Sequence, residues 1–219
     1  MDILDAIKSR RSIRSFLPEP VPRGVIREIL DAAIWAPSAL NTQPWEFTVV
    51  GGEVLAGIKQ GNIEKLLSGA VIHSPRTAYE GIYRQRRIEL AKDLFQLMDI
   101  KREDGEKRAA WLQRGYRFFD APAAIIISVD KSLEGTWSLF DIGTVSQAIC
   151  LAALEYGLGT CIEDQGVQFP EVIRKHTGLP ENKEIVIGIA IGYPDPMFPA
   201  NTLISRREPL DGITAWLGF

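Results

Sequence analysis

The chain has 219 residues, enough to bury a large core as one domain. A hydrophobic content of 46%, a charged content of 24% and a net charge of -3 describe an ordinary globular composition and give no electrostatic case for nucleic acid. No stretch approaches the roughly 18 continuous apolar residues of a membrane span, and the opening MDILDAIKSRRS has no signal-peptide core, so a cytoplasmic protein without a membrane partner is expected. Cys150 and Cys161 form no CxxC pair, and His73 and His176 are far apart, which argues against a disulfide scaffold and against a bound metal.

Taken in chain order, Asp2 to Ser9 reads as a short helix with Ile3, Leu4 and Ile7 on one side. Pro18, Pro20 and Pro22 then force a loop. Val25, Ile26, Ile29, Leu30, Ala33 and Ile34 recur at helical spacing, and Pro37 ends that helix. Phe47 to Val50 is a short strand, Gly51-Gly52 a turn, and Glu53 to Leu67 a helix. Residues 68–83 lack periodicity and read as loop. Arg84 to Met98 and Asp104 to Tyr116 form a charged helical pair, which either covers a pocket or is a solvated flank. The isoleucine-rich run Ala123 to Val129 predicts a central strand. Asp141 to Tyr156 is a largely apolar helix, expected in a core or at a subunit interface. Glu184 to Ile191 predicts another internal strand, and the tail from Asn201 ends in Trp216, Leu217 and Phe219, as an arm that packs on something does. The fold class is α+β, with many helices around a small sheet.

Polar clusters stand out in four places. Arg10, Arg11, Ser12 and Arg14 suit a phosphate, because guanidinium forks donate several hydrogen bonds at once. Positions 10, 12 and 14 share one side only in an extended chain; a solvated basic turn is the plain alternative. Ser38, Asn41 and Gln43 offer hydroxyl and amide groups to the edge of a heteroaromatic ring, against a simple helix stop with local turn bonds. In Gly157-Leu158-Gly159-Thr160-Cys161-Ile162-Glu163-Asp164, either glycine can cap the preceding helix, after which the chain turns with its backbone groups free. Glu163 and Asp164 are acids available for proton work, or members of a charged surface loop; Cys161 has no evident base. Ser205-Arg206-Arg207-Glu208 gives a late cationic patch that could join the first on one phosphate, or form salt bridges within the tail.

The ordered set RRSIRSF (10–16), APSALNTQPW (36–45), FFDAPAAIIISVDKS (118–132), GLGTC (157–161), IGYPDP (191–196) and RREPL (206–210) resembles the FMN-dependent nitroreductase family, in particular its longer bacterial members with a helical insert before the central strand. The resemblance implies a single domain over 1–219, with a small, mainly antiparallel sheet surrounded by helices, an insert or lid at 84–116 and a dimer arm at 200–219. It implies an intertwined homodimer with FMN sites at the interface. Arg10, Ser12 and Arg14 then carry over to phosphate, ribityl and ring-edge contacts, with Arg11 contributing through its backbone. Pro37, Ser38, Ala39 and Asn41 match the loop that reaches the partner's flavin, and Gln147 a polar position on the central helix. Ile162, Glu163 and Asp164 match the segment past flavin N5, where a backbone N–H can meet the ring, and Arg207 matches a late phosphate-binding arginine. Ile204 and Ser205 stand where relatives often carry another basic residue, with Arg206 as the candidate replacement.

By this resemblance the flavin performs the chemistry, and no side chain need be catalytic. The expected activity is ping-pong transfer of reducing equivalents from NADH or NADPH to an electron-poor small molecule such as a nitroaromatic or quinone. Tyr79, Tyr83 and Phe95 are candidate substrate contacts. Reductive dehalogenation, oxygen-dependent flavin chemistry and FMN binding or storage without turnover are the other readings.

Overall fold

The computed structural model describes residues 2–70, 79–133 and 135–219, so residues 71–78 of the loop expected over 68–83, His73 among them, lie outside the described residues. Helices α1 (Ile3–Ser9) and α2 (Arg23–Ala33) precede strand β1 (Glu46–Gly51) and helix α3 (Gly52–Leu67). Helices α4 (Gly81–Leu97) and α5 (Gly105–Tyr116) form the insert before strand β2 (Ala123–Asp130). Helix α6 (Thr136–Glu155), strand β3 (Gly159–Glu163), helix α7 (Pro170–Thr177) and strand β4 (Lys183–Gly192) follow. The tail carries only short 3-10 turns at Pro199–Thr202 and Leu210–Gly212.

The strands form one antiparallel sheet in the order β1-β2-β4-β3. Strand β2 lies inside it and is buried from Ala123 to Val129, as its unbroken apolar run requires. Its side chains alternate between two cores. Ala124 and Ile126 face Leu55 and Ile58 of α3, Val172 and Ile173 of α7, and the rings of Tyr116, Phe118 and Phe169. Ile125 and Ile127 face Ile26 and Ile29 of α2 and Ile142, Val145 and Ile149 of α6. Each such buried isoleucine contributes about 1.5–3 kcal/mol relative to exposure; Ile125, Ile127, Ile189 and Ile191 tie the sheet to the α2–α6 layer, whereas Ile126 meets a largely aromatic core on the α3–α7 side.

Two elements differ from the expectation. The segment 159–163, expected to turn with free backbone groups, is strand β3, paired with β4 from Gly159↔Gly192 to Glu163↔Gly188. Helix α7 falls where no apolar repeat pointed to one; Pro170 opens it, Gly178 caps it, and Arg174, Lys175 and His176 place positive charge in its last turn. Helix α6 is long and apolar enough to cross a membrane by length and composition alone, with a mean hydropathy of 1.4. One of its faces is nonetheless committed to the sheet, while Trp137, Leu139 and Phe140 remain exposed.

The turn after β3 is pinned from within the core. Asn62 is fully buried on α3, and its Nδ2 donates to the carbonyls of Tyr116 (3.0 Å) and Gly166 (2.8 Å). Glu163, read either as an acid for proton work or as a member of a charged surface loop, points inward, where its Oε2 accepts the Gly166 N–H at 2.8 Å and its Oε1 has no partner among the described residues. Burial in this apolar setting pushes the Glu163 carboxyl up to about 8, and the neighbouring Asp164 charge adds to the rise.

Two expectations follow. Asn62→Leu strands two buried carbonyls and is expected to lower stability by about 2–4 kcal/mol, read as an earlier urea midpoint with an unchanged slope. For Glu163, the folded state holds its proton more tightly than the unfolded chain, so its effect on stability is nil at low pH and grows unfavourable as pH rises from the ordinary carboxylate range toward about 8. Glu163→Gln is expected to flatten that decline in unfolding free energy; a parental slope in the variant would count against a buried neutral carboxyl.

Candidate functional site

The segment carrying the first arginine cluster is laid along the outer edge of β3. Ser12 forms a parallel bridge with Thr160, the Ile13 N–H donates to the Thr160 carbonyl at 2.9 Å, and Phe16 bridges to Pro194. Gly159 makes this approach possible: a Cβ there would stand 2.5 Å from the Ile13 side chain and 2.8 Å from that of Pro194. The capping role belongs to Gly157, which follows α6 with φ of +67°.

Extension separates the cluster into two environments. Arg10 and Arg11 line a cavity of about 470 Å³ with Leu154, Gly157 and Asp195. The Arg10 Nε–H is buried and meets no acceptor among the described residues. Ser12 and Arg14, absent from that lining, face the Cys161 thiol; burial pushes the thiol up to about 12 against the Arg14 charge and a hydrogen bond with Ser12. Cys161 is therefore a protonated, inert group. Arg14 also folds its Nη1 onto the Ser12 carbonyl at 3.2 Å.

The second cluster is held elsewhere. Asp141, buried on α6, accepts the Ala39 N–H with both carboxylate oxygens at 3.2 Å, and the Thr144 hydroxyl donates to the Pro37 carbonyl at 2.9 Å. The Ser38 hydroxyl accepts the Gln43 N–H at 3.0 Å. Leu40, Asn41 and Gln43 take positive φ of 51°, 58° and 46°, a left-handed excursion that these anchors sustain, and the Leu40 and Asn41 side chains are exposed. This loop sits at the Asp141 end of α6, whereas the Arg10 cavity sits at the Leu154 end. The rise between those two residues is roughly 20 Å, so one chain does not bring the two clusters together. Gln147 lies between them on α6, half-buried.

Among the residues of β3 and the turn after it, Ile162 is exposed, Glu163 is turned into the core, and the exposed Asp164 accepts from Gln168 Nε2 at 3.0 Å. The structure does not join the late arginines to the Arg10 cavity. Arg206 pairs with Asp93 of α4 at 3.4 Å, and Arg207 Nη1 bonds Ser205 Oγ at 2.7 Å and two tail carbonyls. Both line a separate cavity of about 520 Å³ against α4. Of the aromatic candidates, Tyr79 and Tyr83 are exposed, while Phe95 is taken up in the α4–α5 contact, edge-on to Trp111 at 6.5 Å with Arg108 over its face at 4.7 Å.

Sequence reasoning missed Asp141, Asn201 and Arg114. Asp141 had a signal, a lone carboxylate within an apolar helix. Asn201 had none: it is buried, its Oδ1 accepts the Arg14 N–H at 2.7 Å, and its Nδ2 donates to the carbonyls of Ser15 and Asp195 at 2.8 and 2.9 Å. The donor set fits a phosphorylated, flat, polar cofactor. A buried guanidinium N–H without an acceptor calls for an anion in the Arg10 cavity, and the 37–43 loop presents hydroxyl and amide groups on a rigid frame.

The sequence profile of the nitroreductase family matches residues 7–193. A 4-nitrobenzoate reductase from Pseudomonas putida is 34% identical over 225 residues, covering 100% of this chain and 97% of the relative. A chloronitrobenzene nitroreductase from Comamonas testosteroni is 32% identical over 220 residues, covering 97% of this chain and 96% of the relative. The crystal structure of the FMN and NADPH-dependent nitroreductase NfnB from sphigopyxis sp. strain HMH superposes with a TM-score of 0.93 at 29% identity, over 100% of both chains. With its antiparallel sheet, its edge-laid arginine segment and these matches along its length, the chain belongs to the nitroreductase family.

Proposed function

We propose that the protein is an FMN-dependent oxidoreductase that passes reducing equivalents from NAD(P)H to nitroaromatic and other electron-poor acceptors. The observation that carries this reading is the buried, acceptor-less Arg10 Nε–H on a cationic cavity, set in a chain of this family. When bound, FMN supplies the redox chemistry that connects NAD(P)H oxidation to acceptor reduction in two successive half-reactions. The relatives named for 4-nitrobenzoate and chloronitrobenzene support a substituted nitroarene as acceptor.

In this reading Arg10 and Arg11 hold the anionic end of the cofactor, and Ser12 and Arg14 serve its ribityl chain and ring edge. The segment Ile162 to Asp164, at the end of β3 and in the turn after it, would serve the reactive edge of the flavin through its backbone. Pro37, Ser38, Ala39 and Asn41 act on the flavin of a second copy of the chain, because α6 keeps them away from their own Arg10. A homodimer also accounts for the exposed Trp137, Leu139 and Phe140 of α6 and Ile3 and Leu4 of α1. Strand β1 is the free edge of the sheet, and a groove of about 680 Å³ runs between it and α2. The partner's tail, with Ile213, Trp216, Leu217 and Phe219 exposed, is the occupant we assign to that groove. The unit is then one domain with the α4–α5 insert and a C-terminal arm.

The decisive experiment is anaerobic stopped flow on the FMN-loaded protein, mixing with NADH or NADPH and then with 4-nitrobenzoate. Bleaching by a nicotinamide and recovery by the nitroarene are expected; bound FMN that neither nicotinamide reduces would leave a storage role. Arg10→Met keeps much of the apolar stem but removes the charge, and is expected to weaken FMN binding about tenfold or more; an unchanged dissociation constant refutes the placement. Trp137→Glu is expected to shift sedimentation to monomer and to lower FMN occupancy with it, since the site draws on both chains.

A further inference from the structure

The Arg14 peptide is gripped on both sides by side chains from distant parts of the chain. Its N–H donates to Asn201 Oδ1 at 2.7 Å, and its carbonyl accepts Arg114 Nη2 at 3.0 Å. Arg114 lies in the last turn of α5, so the insert reaches into the segment that carries the arginine cluster. Its guanidinium has two further holds: Nη1 pairs with Asp120 Oδ2 at 3.1 Å, and the plane rests over the Phe198 ring at 4.6 Å. Its Nε–H is buried without an acceptor among the described residues. Burial lowers its pKa, opposed chiefly by Asp120. A side chain held this closely has few other rotamers open to it. Only a planar fork can address an aspartate, an aromatic face and a peptide carbonyl together; an ammonium can reach the carbonyl without the rest.

We propose that Arg114 is a positioning residue of the flavin site, one that sets where Arg14 stands and so ties the docking of the α4–α5 insert to cofactor binding and potential. The proposal rests on the reading of Arg14 as a flavin contact. Other devices hold the neighbouring residues: β3 holds Ser12 and Ile13, and Tyr193 and Asp195 hold Leu17 and Ser15. Arg14 lies between these holds, and its peptide is the place where the insert enters. A plain staple between α5 and the body would change melting temperature and leave the flavin's properties alone. A positioning residue changes them through Arg14.

The test compares Arg114→Met, Arg114→Lys, Arg14→Met and the Arg14→Met/Arg114→Met double variant. FMN affinity is read by fluorescence titration of the apoprotein, the two-electron midpoint potential by dye equilibration, and melting temperature alongside. Arg114→Met is expected to weaken FMN about tenfold, the scale of one charge-assisted hydrogen bond, and to shift the potential in the same direction as Arg14→Met. Each tenfold difference in that loss between oxidised and reduced flavin corresponds to about 30 mV. Arg114→Lys is expected to recover part of both, and the double variant to match Arg14→Met alone. Parental affinity and potential in Arg114→Met, with both altered in Arg14→Met, overturn the proposal. Parental values in Arg14→Met overturn the flavin reading of the segment and the proposal with it. Should Arg114→Met fail to fold, Phe198→Leu removes the ring beneath the guanidinium and is expected to weaken FMN about threefold, a fraction of the hydrogen-bond effect; parental affinity and potential there overturn the proposal equally.

Discussion

The hydrogen-bonded course of residues 12–17 along one end of the sheet is the constraint on which the rest depends. That segment covers the open edge of β3, supplies a neighbour to the 192–195 turn, carries Arg14 and directly follows Arg10 and Arg11. Its position is over-determined: Thr160, Tyr193, Asn201 and Arg114 each bond its backbone. The contact needs a glycine at 159, because any side chain there would push Ile13 and Pro194 outward. A buried guanidinium N–H without an acceptor is costly, and an ordinary surface loop would let it turn to water. The Arg10 Nε–H is instead buried, without an acceptor among the described residues.

The second organising feature is the length of α6. Its sheet-facing residues anchor it in the core, while its two ends hold chemically different groups, the Asp141-bound loop and the Arg10 cavity. A rigid helix between two half-sites favours a cofactor shared by two chains over a cofactor wrapped by one. The apolar residues left exposed on α6 and in the tail are consistent with that division. In the proposed homodimer, stability and cofactor capture depend on the same surfaces.

Much of the fold is legible in the sequence because the signals are strong and local. The run AAIIISV can only be comfortable between two apolar layers, and the i, i+3, i+4 repeat of α2 leaves one face to bury. Strand β3 was hidden because glycines at 157 and 159 imitate a turn, and its partners, residues 12–13 and 188–192, are remote. Glu163 is illegible for a related reason: acid residues are usually solvated, and only its burial and its bond from the Gly166 N–H show this one turned inward. The residue types of the site could be listed from the chain. Their directions could not: the extended segment sends Arg10 to one environment and Arg14 to another, and the tail sends Arg206 to Asp93. Asp141 on Ala39 and Asn201 on Arg14 are contacts between residues more than a hundred positions apart, which no local pattern encodes.

That wide spacing has a kinetic side. Residues 12–17 are synthesised early, yet their partners at Thr160, Tyr193 and Asn201 emerge only after most of the chain has been made. Closing so long a loop is entropically slow, and contacts of this order form late in folding. The helices and the β1–β2 pair can assemble while the arginine segment is still searching for its edge. With the cofactor held as proposed, its capture waits for a nearly finished fold, because the arginine segment has no edge to lie on until β3 has formed.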